Sequence, residues 1–140
     1  MGDVRFTCRR CGGTLTRPVR RLEAVPERHH DGGFEFDPTM AQGTWATEPR
    51  RVVPTDDGRS VTIDSFLVLN REDLTDLTDH PDPRRHVGCC GRDGGHGPNI
   101  VCPRCGAEIG VIRDDCWTPQ EVRLDPSAVR IVDLPPGPYA

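Results

Sequence analysis

No lysine occurs anywhere in this chain of 140 residues, and aromatic side chains make up only 5 % of it. All 18 basic side chains are arginine. That uniformity reads as the codon usage of a GC-rich bacterial genome and carries no functional information. Apolar residues reach only 34 %, mean hydropathy is −0.56, and 15 glycines and 14 prolines punctuate the chain rather than pack it. Such a chain has little apolar area to bury for its length, so a structural metal is a plausible reinforcement. No apolar run approaches the ~20 residues needed to cross a bilayer. The longest, Phe66–Leu69, suits one strand. The first residues, Met1-Gly2-Asp3-Val4-Arg5, lack the apolar stretch of a secretory signal. The expectation is a cytoplasmic protein with no membrane partner. In that reducing compartment cysteine groups read as metal sites rather than disulfides.

The formal charge of −4 argues against a general polyanion binder. The charge is uneven: residues 1–30 carry seven arginines against three acids, and residues 64–82 carry six acids against one arginine. Two solvated faces account for this. A basic end meeting phosphate and an acidic stretch meeting a basic partner are the functional alternatives.

What the chain does have is cysteine, seven residues of it. Four form two matched turns, Cys8-Arg-Arg-Cys11-Gly12 and Cys102-Pro-Arg-Cys105-Gly106. Two residues between thiolates let both sulfurs reach one metal at ~2.3 Å, and four sulfurs close a tetrahedral shell. The glycine after each second cysteine, lacking a Cβ, is free to take positive φ and complete the turn. Cys8, Cys11, Cys102 and Cys105 are therefore the candidate ligands of one zinc across some ninety residues. The alternatives are a local site, with Cys89 or Cys90 joining Cys102 and Cys105, and unmetallated buried thiols. Arg9, Arg10 and Arg104 within the turns suit the net −2 charge of zinc with four thiolates.

Short strands dominate the coarse reading. Residues 4–7 lead into the first turn and 14–19 lead out, a knuckle-tipped hairpin. Residues 59–63 and 65–69 are β-rich. Ile100–Val101 enters the second knuckle and Glu108–Arg113 leaves it; 120–124 and 128–132 follow. Asn70 is a good N-cap, with Glu72 and Asp73 behind it, so the pattern predicts one short helix over 71–79, ended before Pro81. The expected class is a mostly β, zinc-stabilised single domain over 1–133 with two zinc-knuckle hairpins. Residues 24–58 read as an irregular excursion and 134–140 as a tail.

Two Cys-x-x-Cys hairpins far apart in sequence, flanking a β-rich middle, resemble the β-tent fold of Yippee-like, cereblon-type and methionine-sulfoxide-reductase-B proteins. The likeness covers the chain ends well and residues 23–58 poorly. By position it implies Cys8, Cys11, Cys102 and Cys105 as zinc ligands. It also suggests a thiol redox enzyme, although the reductase family's C-terminal catalytic cysteine context is missing, since no cysteine follows Cys116. β-tent relatives use an aromatic cage for a small ligand; Trp45 with Trp117 is the candidate pair, against Trp117 packing on the knuckle as core. The segment 89–117 also resembles uncharacterised bacterial Cys-rich proteins, which bring no activity with them.

Cys89, Cys90 and Cys116 remain, with His86, Asp93 and His96 nearby. Three readings stand: structural thiols beside the zinc; a second metal site of Cys89 or Cys90 with Cys116 and a histidine such as His96; or a redox nucleophile whose thiolate Arg92 or Arg113 would stabilise. The loop 88–99 holds five glycines in its first ten residues and reads as a shaped loop packed on the second knuckle and Cys116-Trp117, with Cys89 and Cys90 buried. Positive φ at Gly94 or Gly95 is the expected sign of that shape. His29-His30 reads as exposed loop.

The functional expectation is a zinc-binding interaction module with a protein or small-molecule partner. Its rivals are a thiol redox enzyme of the reductase-B type and a nucleic-acid-binding zinc ribbon using the basic first thirty residues, which net charge and scarce aromatics disfavour.

Overall fold

The computed structural model describes residues 2–28 and 37–135. His29-His30, Phe34, Phe36 and the end of the tail lie outside the described residues. The protein is mostly β. Ten strands run as β1 (Val4–Cys8), β2 (Arg20–Arg21), β3 (Thr44–Glu48), β4 (Arg51–Pro54), β5 (Ser60–Ile63), β6 (Phe66–Leu69), β7 (Ile100–Val101), β8 (Glu108–Arg113), β9 (Glu121–Leu124) and β10 (Val129–Asp133). Six of them form one sheet in the order β2-β3-β6-β9-β8-β7; β1 pairs with β10, and β4 with β5, as two-stranded ribbons. All pairings are antiparallel except β2 with β3.

Strand alternation divides the six-stranded sheet into two faces. Leu67 and Leu69 of β6, Val122 and Leu124 of β9 and Ile112 of β8 join Trp45, Ile100 and Leu15 in the main core. The β1–β10 ribbon covers that core with Val4, Phe6, Cys8 and Val129. Phe6 meets Trp45 edge-on, with ring centroids 5.1 Å apart. The opposite face carries Val68 with Met40 and Ala46. Beside them the register places Arg123 against Val111 and Glu121 against Arg113.

Three expectations are corrected. The helix over 71–79 is a single 3-10 turn, Arg71–Asp73. Asn70 does cap it, its side chain accepting from the Glu72 amide. The next residues then pair like a strand: Arg17 N–H donates to Asp73 O, Thr75 N–H to Leu15 O, and Val101 N–H to Thr78 O. Tertiary backbone partners, together with β-branched Thr75 and Thr78, outweigh the local helix signal. Second, 24–58 is not irregular throughout. It supplies β3, whose Trp45 and Ala46 are buried, and β4. Third, 14–19 is no continuous strand, but it closes on β1 through bridges Thr7–Thr14 and Val4–Val19. The start of the tail continues the β10 pairing, with Leu134 N–H donating to Asp3 O. Among the described residues no helix is long and apolar enough to cross a membrane.

Candidate metal centre

The two knuckles are built alike. In the first, Cys8 N–H donates to Gly13 O at 2.8 Å and Gly12 N–H to Cys8 O at 2.7 Å; in the second, Cys102 N–H donates to Ala107 O at 2.8 Å and Gly106 N–H to Cys102 O at 3.0 Å. Gly12 and Gly106 have φ of 76° and 75°, the left-handed conformation the turn requires. Gly13 N–H points at the Cys11 sulfur, 3.4 Å away. β1 delivers the first knuckle and the β7–β8 hairpin the second. The shared core beneath, with Leu15, Ile100, Ile109 and Val129, brings them together.

The four sulfurs converge. Cys8 Sγ lies 3.6 Å from Cys105 Sγ, and Cys11 Sγ 3.6 Å from Cys102 Sγ. All four ligand atoms fall within 4.8 Å of one another. A tetrahedron with metal–sulfur bonds of ~2.3 Å has an edge of about 3.8 Å, so the spacing fits one ion. Cys8 and Cys102 are buried and Cys11 is exposed.

Among the protein groups themselves the thiols divide. Burial opposes ionisation of Cys102, yet the amides of Cys105 and Arg104 and the Cys11 thiol outweigh it and pull the pKa down to about 7. At Cys105 the Ala107 amide favours the thiolate, but burial and the thiols of Cys8, Cys102 and Cys11 push the pKa up to about 11. A thiolate is favoured at Cys102 and opposed at Cys105; a cation at the centre would remove that conflict. Arg9 and Arg104 do not simply face the sulfurs: Arg9 donates to Val129 O at 3.0 Å and Arg104 to Thr14 O at 3.5 Å.

The other three cysteines behave differently. Cys90 and Cys116 are joined as a disulfide, with Cα atoms 6.1 Å apart. Cys89 and Cys90 are exposed rather than buried as expected. The group that converges is Cys90, Asp115 and Cys116. His96 instead pairs with Asp93 at 3.3 Å, and His86 Nε2 donates to His80 O at 2.7 Å. Asp115 was missed in the sequence because nothing local marks it. Its buried carboxylate accepts the amides of Cys90 and Cys116 at 2.9 Å and of Cys89 at 3.3 Å. The Cys90 amide and then those of Cys89, Cys116 and Gly91 outweigh desolvation and hold its pKa below the usual carboxylate value.

The loop 88–99 is shaped, as expected. Arg92 forks onto Asp114 at 2.6 Å and also pairs with Asp79. Asn99, fully buried, donates from Nδ2 to Ile112 O and accepts the Ile112 amide at Oδ1. Gly94 has φ of 79°, while Gly95 is not left-handed. The aromatic cage is not formed: Trp45 is spent on the core, with Arg21 over its ring at 5.4 Å, and Trp117 is exposed rather than packed as core.

On the second sheet face, Glu121 is fully buried and pairs with Arg28 at 2.7 Å and Arg123 at 2.9 Å. Glu48 accepts from the same two arginines at 2.6 and 2.9 Å. Thr39 Oγ1 donates to Glu121 at 2.6 Å. Burial resists ionisation of Glu121, but Arg28, Thr39 and Arg123 overcome it and bring the pKa down to about 2. Comparison with protein-family models, with curated proteins and with solved structures finds no match for this chain.

Proposed function

We propose that Cys8, Cys11, Cys102 and Cys105 hold one zinc ion as a closed structural site, and that the domain so pinned is a binding module rather than a metalloenzyme. The observation that carries the reading is the convergence of four thiols within 4.8 Å on two backbone-matched knuckles. Four thiolates leave a tetrahedral metal no position for water or substrate. The metal then acts through folding: it ties the β1–β10 ribbon to the β7–β8 hairpin. The resemblance to β-tent proteins belongs to the same proposal; its support is that knuckles from opposite ends of the chain meet at one site.

A binding role is supported by apolar side chains left outside. Val52, Val53 and Val61 are exposed on the β4–β5 ribbon, and Ile131 and Val132 on β10. The net charge of −4 favours a protein or small molecule over nucleic acid as partner. The cytoplasm is the proposed compartment. Metal analysis of chelator-free protein tests the site: one zinc per chain is expected, lost in Cys11→Ser. Iron in its place, which four thiolates also suit, overturns the metal's identity. Full metal content in Cys11→Ser overturns the site.

A further inference from the structure

We propose that Cys90 and Cys116 form a reversible dithiol–disulfide pair, a thiol-exchange site for low-molecular-weight disulfides that is separate from the four-cysteine cluster. The geometry points to reversibility because the sulfurs are brought together by contacts that do not depend on the bond between them. Asp115 gathers the amides of Cys89, Cys90 and Cys116. The Arg92 amide donates to Asp114 Oδ1 at 2.6 Å, and the amides of Asp114 and Asp115 donate to Arg92 O at 3.0 and 3.1 Å. A Cβ on Gly91 would sit 2.6 Å from the Asp114 carbonyl oxygen, so the two backbones touch here. The Cα separation of 6.1 Å lies inside the disulfide range. Breaking the bond leaves two thiols still facing each other.

Cys90 is the entry point. It is exposed, whereas Cys116 is half-buried. The Cys116 amide donates to Cys90 Sγ at 3.0 Å, which favours a thiolate there. Asp115 Oδ1 lies equally close to that sulfur, but the carboxylate's charge is spread over three amides. In the oxidising direction the Cys90 thiolate attacks one sulfur of a small disulfide. A Cys90 mixed disulfide forms and one small thiolate leaves. The Cys116 thiolate then attacks the Cys90 sulfur, closes the intramolecular bond and expels the second small thiolate. Two protein thiols lose two electrons and two protons; the small disulfide gains both and departs as two thiols. Excess small thiol runs the sequence backwards.

The test uses the full-length metal-loaded protein, equilibrated across a series of reduced-to-oxidised glutathione ratios and then alkylated and mapped by mass spectrometry. Metal content is measured on the same samples. As the ratio becomes oxidising, Cys90 and Cys116 are expected to lose alkylation together and yield a linked peptide. The intact mass should fall by two hydrogen atoms, and metal content should stay constant. Returning to the reducing ratio should restore both thiols. Cys116→Ser should lose the linked peptide and trap glutathione on Cys90. Gly91→Ala should shift the whole series toward the dithiol, because its methyl group pushes the loop off Asp114. The proposal is overturned if Cys90 and Cys116 stay alkylatable at the most oxidising ratio. Closure through Cys89, a link that excess thiol cannot reopen, or a second equivalent of metal held by the reduced pair and lost in Cys116→Ser would each overturn it as well.

Discussion

Two charged clusters sit in this domain, and they are neutralised in opposite ways. Cys8, Cys11, Cys102 and Cys105 bring together four groups that are all negative once ionised, and the nearby Arg9 and Arg104 are engaged with the carbonyls of Val129 and Thr14. Such a group can hold a metal ion, whose charge would supply the compensation. On the other sheet face, Glu48 and Glu121 meet Arg28 and Arg123 in a ring of ion pairs between 2.6 and 2.9 Å. That cluster draws its counter-charges from the chain itself, with Arg113 as a third, more distant arginine 3.9 Å from Glu121. A chain with little apolar surface has thus gathered polar groups at both places, one a set of metal-ligand type and the other a network of ion pairs.

The sharpest way to separate them is chelation. Structural zinc binds with about 10–16 kcal/mol in small metal-dependent domains, which matches or exceeds the ~5–15 kcal/mol that holds a typical domain together. Removing the metal is therefore expected to abolish the cooperative thermal melt, although the ion-pair ring is untouched. Cys11→Ser should do the same without chelator. A well-dispersed, native-like NMR spectrum of the metal-free protein would show instead that the self-neutralised face and its core suffice.

The second break is aimed at the ring. Glu121→Ala removes the buried one of the two carboxylates that Arg28 and Arg123 share and leaves them only Glu48, so the cost should approach from below the ~3–5 kcal/mol of a broken buried pair. Metal content should remain one per chain, measured alongside a denaturant midpoint. A shift of that size with full metal shows that the two clusters are energetically separate. Loss of metal in the same variant would show that they are coupled.

How much of this was legible follows from how local each signal is. The knuckles were readable because their ligands and glycines lie within five residues, and the Asn70 cap because it acts two residues ahead. β3 was hidden: Thr44–Glu48 alternates weakly between Gly43 and Pro49, and its place is fixed by pairing with β6. The helix over 71–79 was wrongly expected because the backbone partners of Asp73, Thr75 and Thr78 come from Arg17, Leu15 and Val101. Asn99 accepts an amide thirteen residues on, and Asp115 accepts two amides 25 and 26 residues back besides that of its neighbour Cys116, so no spacing rule marks them. Glu121 sits at a polar position of a strand, and its burial depends on Arg28, 93 residues away in the chain.

Acid separates the clusters by a different route. The folded pKa of Glu121 lies near 2 against 4.5 for the free group. A depressed pKa contributes stability that is present above about 4.5 and lost as pH falls toward 2, on the order of 3 kcal/mol in full. Glu121→Gln has no charge to lose. Wild type should therefore exceed this variant above pH 4.5, and their difference should shrink as the pH drops through that window. Protonation of the knuckle thiolates weakens both proteins alike and cancels in the difference. A gap that stays constant down to the acid limit would mean that Glu121 is held by something other than its charge.

The smallest effect tests whether the two knuckles are equivalent halves of one site. Gly12 and Gly106 share a φ near 75°, and a Cβ added at either would meet nothing within 4 Å. Alanine there costs only the backbone penalty of the left-handed conformation, about 1 kcal/mol. Gly12→Ala and Gly106→Ala should therefore lower the denaturant midpoint by the same small amount, with the metal retained. Asparagine, which tolerates this conformation better, should recover part of the loss at both positions. Equal costs would mean that the metal, not the differing strands behind each turn, sets the turn geometry. An appreciably smaller cost at Gly12 would mean that the first knuckle, held by β1 and its bridged return rather than by the six-stranded sheet, relaxes where the second cannot.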